Sequence, residues 1–188
     1  MNPFLRSTQI VNWDHPEVLA LASYLSKQSE APQVFIAKTF DWVCDHIEDT
    51  EVCQKAADIL RASDVLVQKR GCCFAKSHLL AALLRANGIS AGFAYQAVEN
   101  ERGKPSYRLH GLNTVYLPRS GWCDLDTMGH WQNIEKYSGP PDIRLSYPDA
   151  MRIKGVWPNP LSCVVSAFSD NLPIPTLYCN SPEINTGA

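Results

Sequence analysis

The sequence predicts an α+β fold, with helices grouped in the amino-terminal half and an antiparallel sheet after them. Three observations predict it. Apolar residues recur at helical spacing through the first third of the chain. The stretch 72–88 is rich in strong helix formers and closes on Asn87-Gly88. From Ile89 onward the pattern switches to a period of two, which is strand periodicity.

The first helix is expected from about Pro16 to Lys27. Asp14 offers an N-cap, Pro16 suits the first turn, Glu17 is an early acid, and Val18, Leu19, Leu21, Ala22 and Leu25 supply the apolar positions. A second helix is expected from Pro32, where Ile36, Phe40, Val43 and Ile47 recur at spacings of four, three and four and line one face. A third helical stretch is read around Glu51 to Arg61, carrying Val52, Ala56, Ile59 and Leu60, and a short fourth opens at Ser63-Asp64 before Val65 and Leu66. The next helix is the one that begins at about Cys73. Ala91, Phe93, Tyr95 and Ala97 then alternate with Ser90, Gly92, Ala94 and Gln96, giving a strand to about Val98. After a polar loop over 99–106, Tyr107 to Leu117 and Trp122 to Asp126 read as a hairpin turning at Pro118-Arg119-Ser120-Gly121. Prolines at 140, 141, 148, 158, 160, 173 and 175 break periodicity beyond it, so short strands, turns and a loose tail are expected there.

No repeat or linker divides the chain, and its 188 residues suit one domain over 1–188, with a motif core at 63–126 and a proline-rich region at 139–188. With 45% hydrophobic and 19% charged residues, the composition is globular rather than disordered. The 17 Lys+Arg against 19 Asp+Glu provide no broad phosphate-neutralising surface, so nucleic acid is not an expected partner. Residues 1–10 lack the apolar region of a secretion signal, and the longest apolar run, Leu79 to Leu84, falls far short of the ~20 residues of a membrane span. The reading is a cytoplasmic protein without membrane contact. Seven cysteines, an odd number, then fit reduced thiols better than a disulfide framework. Cys72-Cys73 lacks the CxxC spacing of a metal site, and neither Cys44 nor Cys53 has a neighbouring Cys/His pair, so no metal or other cofactor is expected.

Cys73 stands where a helix begins, with Gly71 before it to allow an unusual backbone path. Unpaired N–H groups and the macrodipole at a helix start favour a thiolate over the reference thiol of pKa ~8.5. His110 lies in a strand on the face of Leu112, Thr114 and Tyr116, and Asp126 follows sixteen residues later in the return strand. A turn over 118–121 would set Leu117 opposite Trp122 and put Asp126 on the wrong face, so a bulge or a shifted turn is expected if His110 and Asp126 meet. Asp124 competes with Asp126 as the histidine's acid. His78 falls about 140° round the helix from Cys73 and reads as a surface or packing residue.

The run Gly71-x-Cys73, Lys76, Leu79-Leu80-x-Ala82-Leu83-Leu84-Arg85-Ala86-x-Gly88-Ile89 resembles the nucleophile helix of the transglutaminase-like superfamily. His110-x-Leu112-Asn113-x-Val115-Tyr116-Leu117 and Gly121-Trp122-x-x-x-Asp126 resemble its histidine and aspartate strands. The resemblance implies a papain-like core with Cys73 as nucleophile, His110 as its base and Asp126 as the residue orienting the imidazole. Its spacing selects Cys73 over Cys72 and Asp126 over Asp124. Gln68, five residues before Cys73, and the Cys73 backbone N–H are candidate oxyanion donors. Trp122 is a candidate shield or substrate contact.

The function so implied is acyl transfer through a thioester on Cys73, with a peptide, an amide or an acyl-thioester as substrate. Hydrolysis of a peptide or amide bond leads; an amine acceptor would make the same triad an amide-forming acyltransferase. A non-catalytic binding protein on the same fold is the reading from another class.

Overall fold

The computed structural model describes residues 2–50, 59–99, 107–131 and 143–169. Helix α1 spans Pro16–Lys27 and buries Val18, Ala22 and Leu25. Its N-cap is His15 rather than Asp14, whose carboxylate instead accepts from the Ser7 hydroxyl. Helix α2, Pro32–His46, buries Phe35, Ile36, Phe40 and Val43. The helix read around 51–61 lies mostly outside the described residues, and Ile59 to Arg61 are not helical. Helix α3, Ala62–Gln68, ends on Lys69 in the left-handed conformation at φ 54.

Helix α4, Cys73–Ala86, is the centre of the molecule. Every residue from Phe74 to Arg85 is buried, because α1, α2 and α3 pack on some of its faces and the sheet on another. A helix covered all round needs no polar stripe, which explains its run of Leu and Ala. Two polar side chains inside it are paid for locally: Lys76 binds Asp49 at 2.6 Å, and the Nδ1 of His78 bonds the Leu60 carbonyl at 2.8 Å.

The main sheet is antiparallel, in the order β5-β4-β3-β8, from β3 (Ala91–Glu99), β4 (Tyr107–Leu117), β5 (Gly121–Leu125) and β8 (Met151–Arg152). Two short pairs complete the strands. Glu48–Asp49 (β1) runs parallel to Arg70–Gly71 (β2) just before α4, and His130–Trp131 (β6) pairs with Ile143–Arg144 (β7). The β1–β2 ladder was not legible as periodicity, since two residues carry none. Gly71 keeps an ordinary φ, so the expected unusual backbone path is not its reason. It is small because a Cβ would stand 2.8 Å from the Ala75 Cβ, in the first turn of α4.

The proline-rich region holds the expected short strands and also a helix, α5 (Ser162–Ser169). Its Ser, Cys, Val and Phe are weak helix formers. Tertiary contact overrides them: Val164, Ala167 and Phe168 are buried, and Phe168 meets Phe74 of α4 edge-on at 6.4 Å.

Candidate active site

Cys73 is the first residue of α4, and no side chain caps that helix end. Its first-turn N–H groups therefore lie beside the sulfur. Cys72, the N-cap residue, is buried and disulfide-bonded, which corrects the expectation that the thiols are all reduced. Of the two adjacent sulfurs, Cys73 is the free thiol.

His110 is reached through β4. On that strand Gly111 faces Phe74, where a Cβ would stand 2.7 Å from the ring. Asn113 Nδ2 donates to the Ser77 carbonyl at 2.9 Å. These contacts lock β4 against the start of α4 and bring His110 close enough to Cys73 for the two side chains to interact. One ring nitrogen, Nε2, meets Asp126 Oδ1 at 3.0 Å, leaving Nδ1 for the sulfur.

Asp126 arrives by a shifted turn. Ser120 N–H donates to the Leu117 carbonyl at 3.1 Å, and Gly121, at φ 73, faces Leu117 in place of Trp122. This one-residue shift restores the parity: Asn113 faces Leu125, so Asp126 follows at the level of Leu112 and on the side of His110. The two residues are diagonal neighbours rather than direct partners, and no bulge is needed. Asp126 is fully buried. Besides His110 it accepts from the Met128 N–H at 3.0 Å and the Ser146 N–H at 2.8 Å. Asp124 is engaged elsewhere, by the Nε and Nη2 of Arg152, which reaches it from the opposite edge strand.

Burial opposes charge on both members of the pair, yet the charge remains. For His110, desolvation pushes the imidazole down, but the hydrogen bonds to Asp126 and Cys73 and the charges on both outweigh it and raise the pKa to about 9. For Asp126, desolvation pushes the carboxyl up, while His110 and the two backbone N–H groups carry it below its ordinary value. His78 is the contrasting histidine: burial drives it down to about 4, and it serves packing. Cys44, beside the site with its sulfur toward the Thr127 carbonyl, is pushed up to about 12 by burial and is an inert thiol.

Cys73, His110 and Asp126 are thus brought together, and the other two candidates are not. Gln68 is exposed at the end of α3, with Arg70 as its hydrogen-bond neighbour. Trp122 faces Tyr116, six residues along β4 from His110, and packs on Phe4 at 4.7 Å. At ~3.3 Å per residue that is about 20 Å from the imidazole. What residue-by-residue reading missed is the segment before β8. Ser146 binds Asp126, and the Tyr147 ring stands against His110 at 5.0 Å. The same segment walls a cleft of about 470 Å³ whose lining includes Glu99, Tyr107, Asp149 and Met151.

The sequence profile of the transglutaminase-like superfamily matches residues 19–127, and the chain belongs to that superfamily. Among solved structures it is similar to a candidate cysteine protease from Cytophaga hutchinsonii, at 21% identity and a TM-score of 0.54, over 66% of this chain and 40% of that one. It is also similar to the periplasmic domain of TgpA from Pseudomonas aeruginosa, at 22% identity and a TM-score of 0.47, over 66% of this chain and 45% of that one. The chain therefore spans less than half of either relative, and the likeness is one of fold. No curated protein matches it significantly.

Proposed function

We propose that the protein is a cysteine-dependent acyl-transfer enzyme, with Cys73 as nucleophile, His110 as its proton partner and Asp126 as the residue orienting the imidazole, and that it hydrolyses a peptide or amide bond. The observation that carries this reading is that buried Asp126 holds Nε2 of an imidazole whose charge interacts with Cys73, at an uncapped helix start. An imidazole held protonated to about 9 is the partner a thiolate needs near neutral pH.

The steps follow from that arrangement. The sulfur attacks the carbonyl carbon, and the oxyanion forms beside the Cys73 N–H, which the helix start leaves available. His110 gives its proton to the leaving amine as the C–N bond breaks, leaving a thioester. Water then loses a proton to His110, attacks the thioester and releases the acid and the thiolate. The superfamily membership supports this chemistry. The test is alkylation with iodoacetamide near neutral pH, followed by mass mapping. Fast labelling confined to Cys73, lost in His110→Ala, is expected; equal slow labelling of several cysteines in the native protein would overturn the reading. Incubating candidate peptides with and without a primary amine, then weighing the products, distinguishes hydrolysis from amide formation.

A further inference from the structure

Asp126 holds His110 at one nitrogen only, and one hydrogen bond leaves an imidazole free to tip about that bond. For Nδ1 to stay on the Cys73 sulfur, the plane of the ring must be fixed as well. The structure places an aromatic ring against it: Tyr147 stands at 5.0 Å between centroids and 76° between planes.

Tyr147 is itself held from two sides. Its carbonyl accepts from Gln96 Nε2 at 2.9 Å, and Gln96 is the direct partner of His110 in the β3–β4 ladder. Its hydroxyl accepts from Arg108 Nη2 at 2.8 Å, and the Arg108 guanidinium lies 4.8 Å from its ring centre. Arg108 precedes His110 by two residues on the same side of β4. The preceding residue, Ser146, binds the Asp126 carboxylate through its N–H. Two consecutive residues thus grip the two members of the His–Asp pair, anchored to the strand that carries the histidine. Tyr147 is only half-buried, at the wall of the neighbouring cleft, so packing alone repays little of this anchoring.

We propose that Tyr147 is a positioning residue for His110: its ring fixes the plane of the imidazole so that Nε2 stays on Asp126 and Nδ1 on Cys73, with Gln96 and Arg108 fixing the tyrosine. The inference rests on the reading of Cys73 and His110 given above. Among the described residues, the charged groups near this ring are Arg108, whose guanidinium lies over the tyrosine, and Glu99 and Asp149, which line the cleft with it.

The experiment follows the rate of Cys73 alkylation by iodoacetamide against pH in the native protein and in His110→Ala, Tyr147→Phe, Tyr147→Ala and Arg108→Ala, with folding checked by near-ultraviolet circular dichroism. Tyr147→Ala should lose about tenfold in rate at pH 6.5 and move the pH profile toward that of His110→Ala. Tyr147→Phe keeps the ring and should stay within about threefold of native, with Arg108→Ala between the two. A residue that merely packs would lower the melting temperature and leave the pH profile in place; that result for Tyr147→Ala overturns the inference while the proposed triad stands. If Tyr147→Ala does not fold, Arg108→Ala decides, a native profile overturning the inference. If His110→Ala labels as fast as native, the underlying reading fails and the inference falls with it.

Discussion

At Asp126 the carboxylate accepts three hydrogen bonds, one from His110 and two from backbone N–H groups. A carboxylate so held is fixed in place as well as charged, and it dictates which imidazole nitrogen faces the sulfur. Asp126→Asn keeps the shape but no longer favours that tautomer. It should lower kcat on the order of 10²–10⁴-fold with KM little changed. Asp124→Asn, which loses only its Arg152 partner, should stay within about threefold in kcat. Steady-state kinetics of the two variants check the ranking, and the reverse order would shift the orienting role to Asp124. The raised pKa of His110 also has a sign in stability. Its folded value of about 9 lies above the ordinary ~6.5, so its contribution is complete below about pH 6.5 and is lost as pH rises through 9. Denaturant unfolding of native protein and His110→Gln should therefore show a gap that closes between those pH values; a gap that widens would contradict the charged pair.

At the scale of elements, the site depends on how closely β4 approaches the start of α4. Phe74 occupies the space that a side chain at Gly111 would fill, and the two residues neighbour His110 and Cys73 in the chain. Gly111→Ala should cost about 1–3 kcal/mol through overpacking against the ring. Because the displacement falls between nucleophile and base, it should also slow Cys73 alkylation in the fraction that remains folded. Urea unfolding and the alkylation rate measure both effects. A variant of native stability and reactivity would show that Phe74 yields without moving β4.

At the scale of the molecule, Arg85 near the end of α4 joins three distant parts of the chain. Its guanidinium donates to the carbonyls of Ala91, Arg6 and Pro158, and it is buried, with its pKa lowered to about 10 by desolvation. It stays charged at neutral pH, and three carbonyls satisfy it. Arg85→Met should cost about 1–3 kcal/mol, since it leaves the buried bond to the Ala91 carbonyl and the half-buried bonds to the Arg6 and Pro158 carbonyls without their donor. Arg85→Lys should recover little, because a point ammonium cannot span the fork. Unfolding midpoints in urea test this, and an unchanged midpoint in Arg85→Met would mean that the three segments are held by other contacts.

The sequence by itself determined the order of the main helices and of the strands β3 to β5, and singled out Cys73, His110 and Asp126 as candidates. Those features are written in local periodicity, in helix-forming composition and in a motif whose spacing belongs to one superfamily. Tertiary structure alone decided the rest. The hairpin register rests on a one-residue choice of turn, which parity turns into a choice of face. The β1–β2 ladder exists because two segments distant in sequence pair, and α5 because its Val164, Ala167 and Phe168 are buried against the rest of the fold. Ser146 and Tyr147 reach the His–Asp pair from a proline-broken stretch, because side chains that meet across the fold leave no period in the sequence to read.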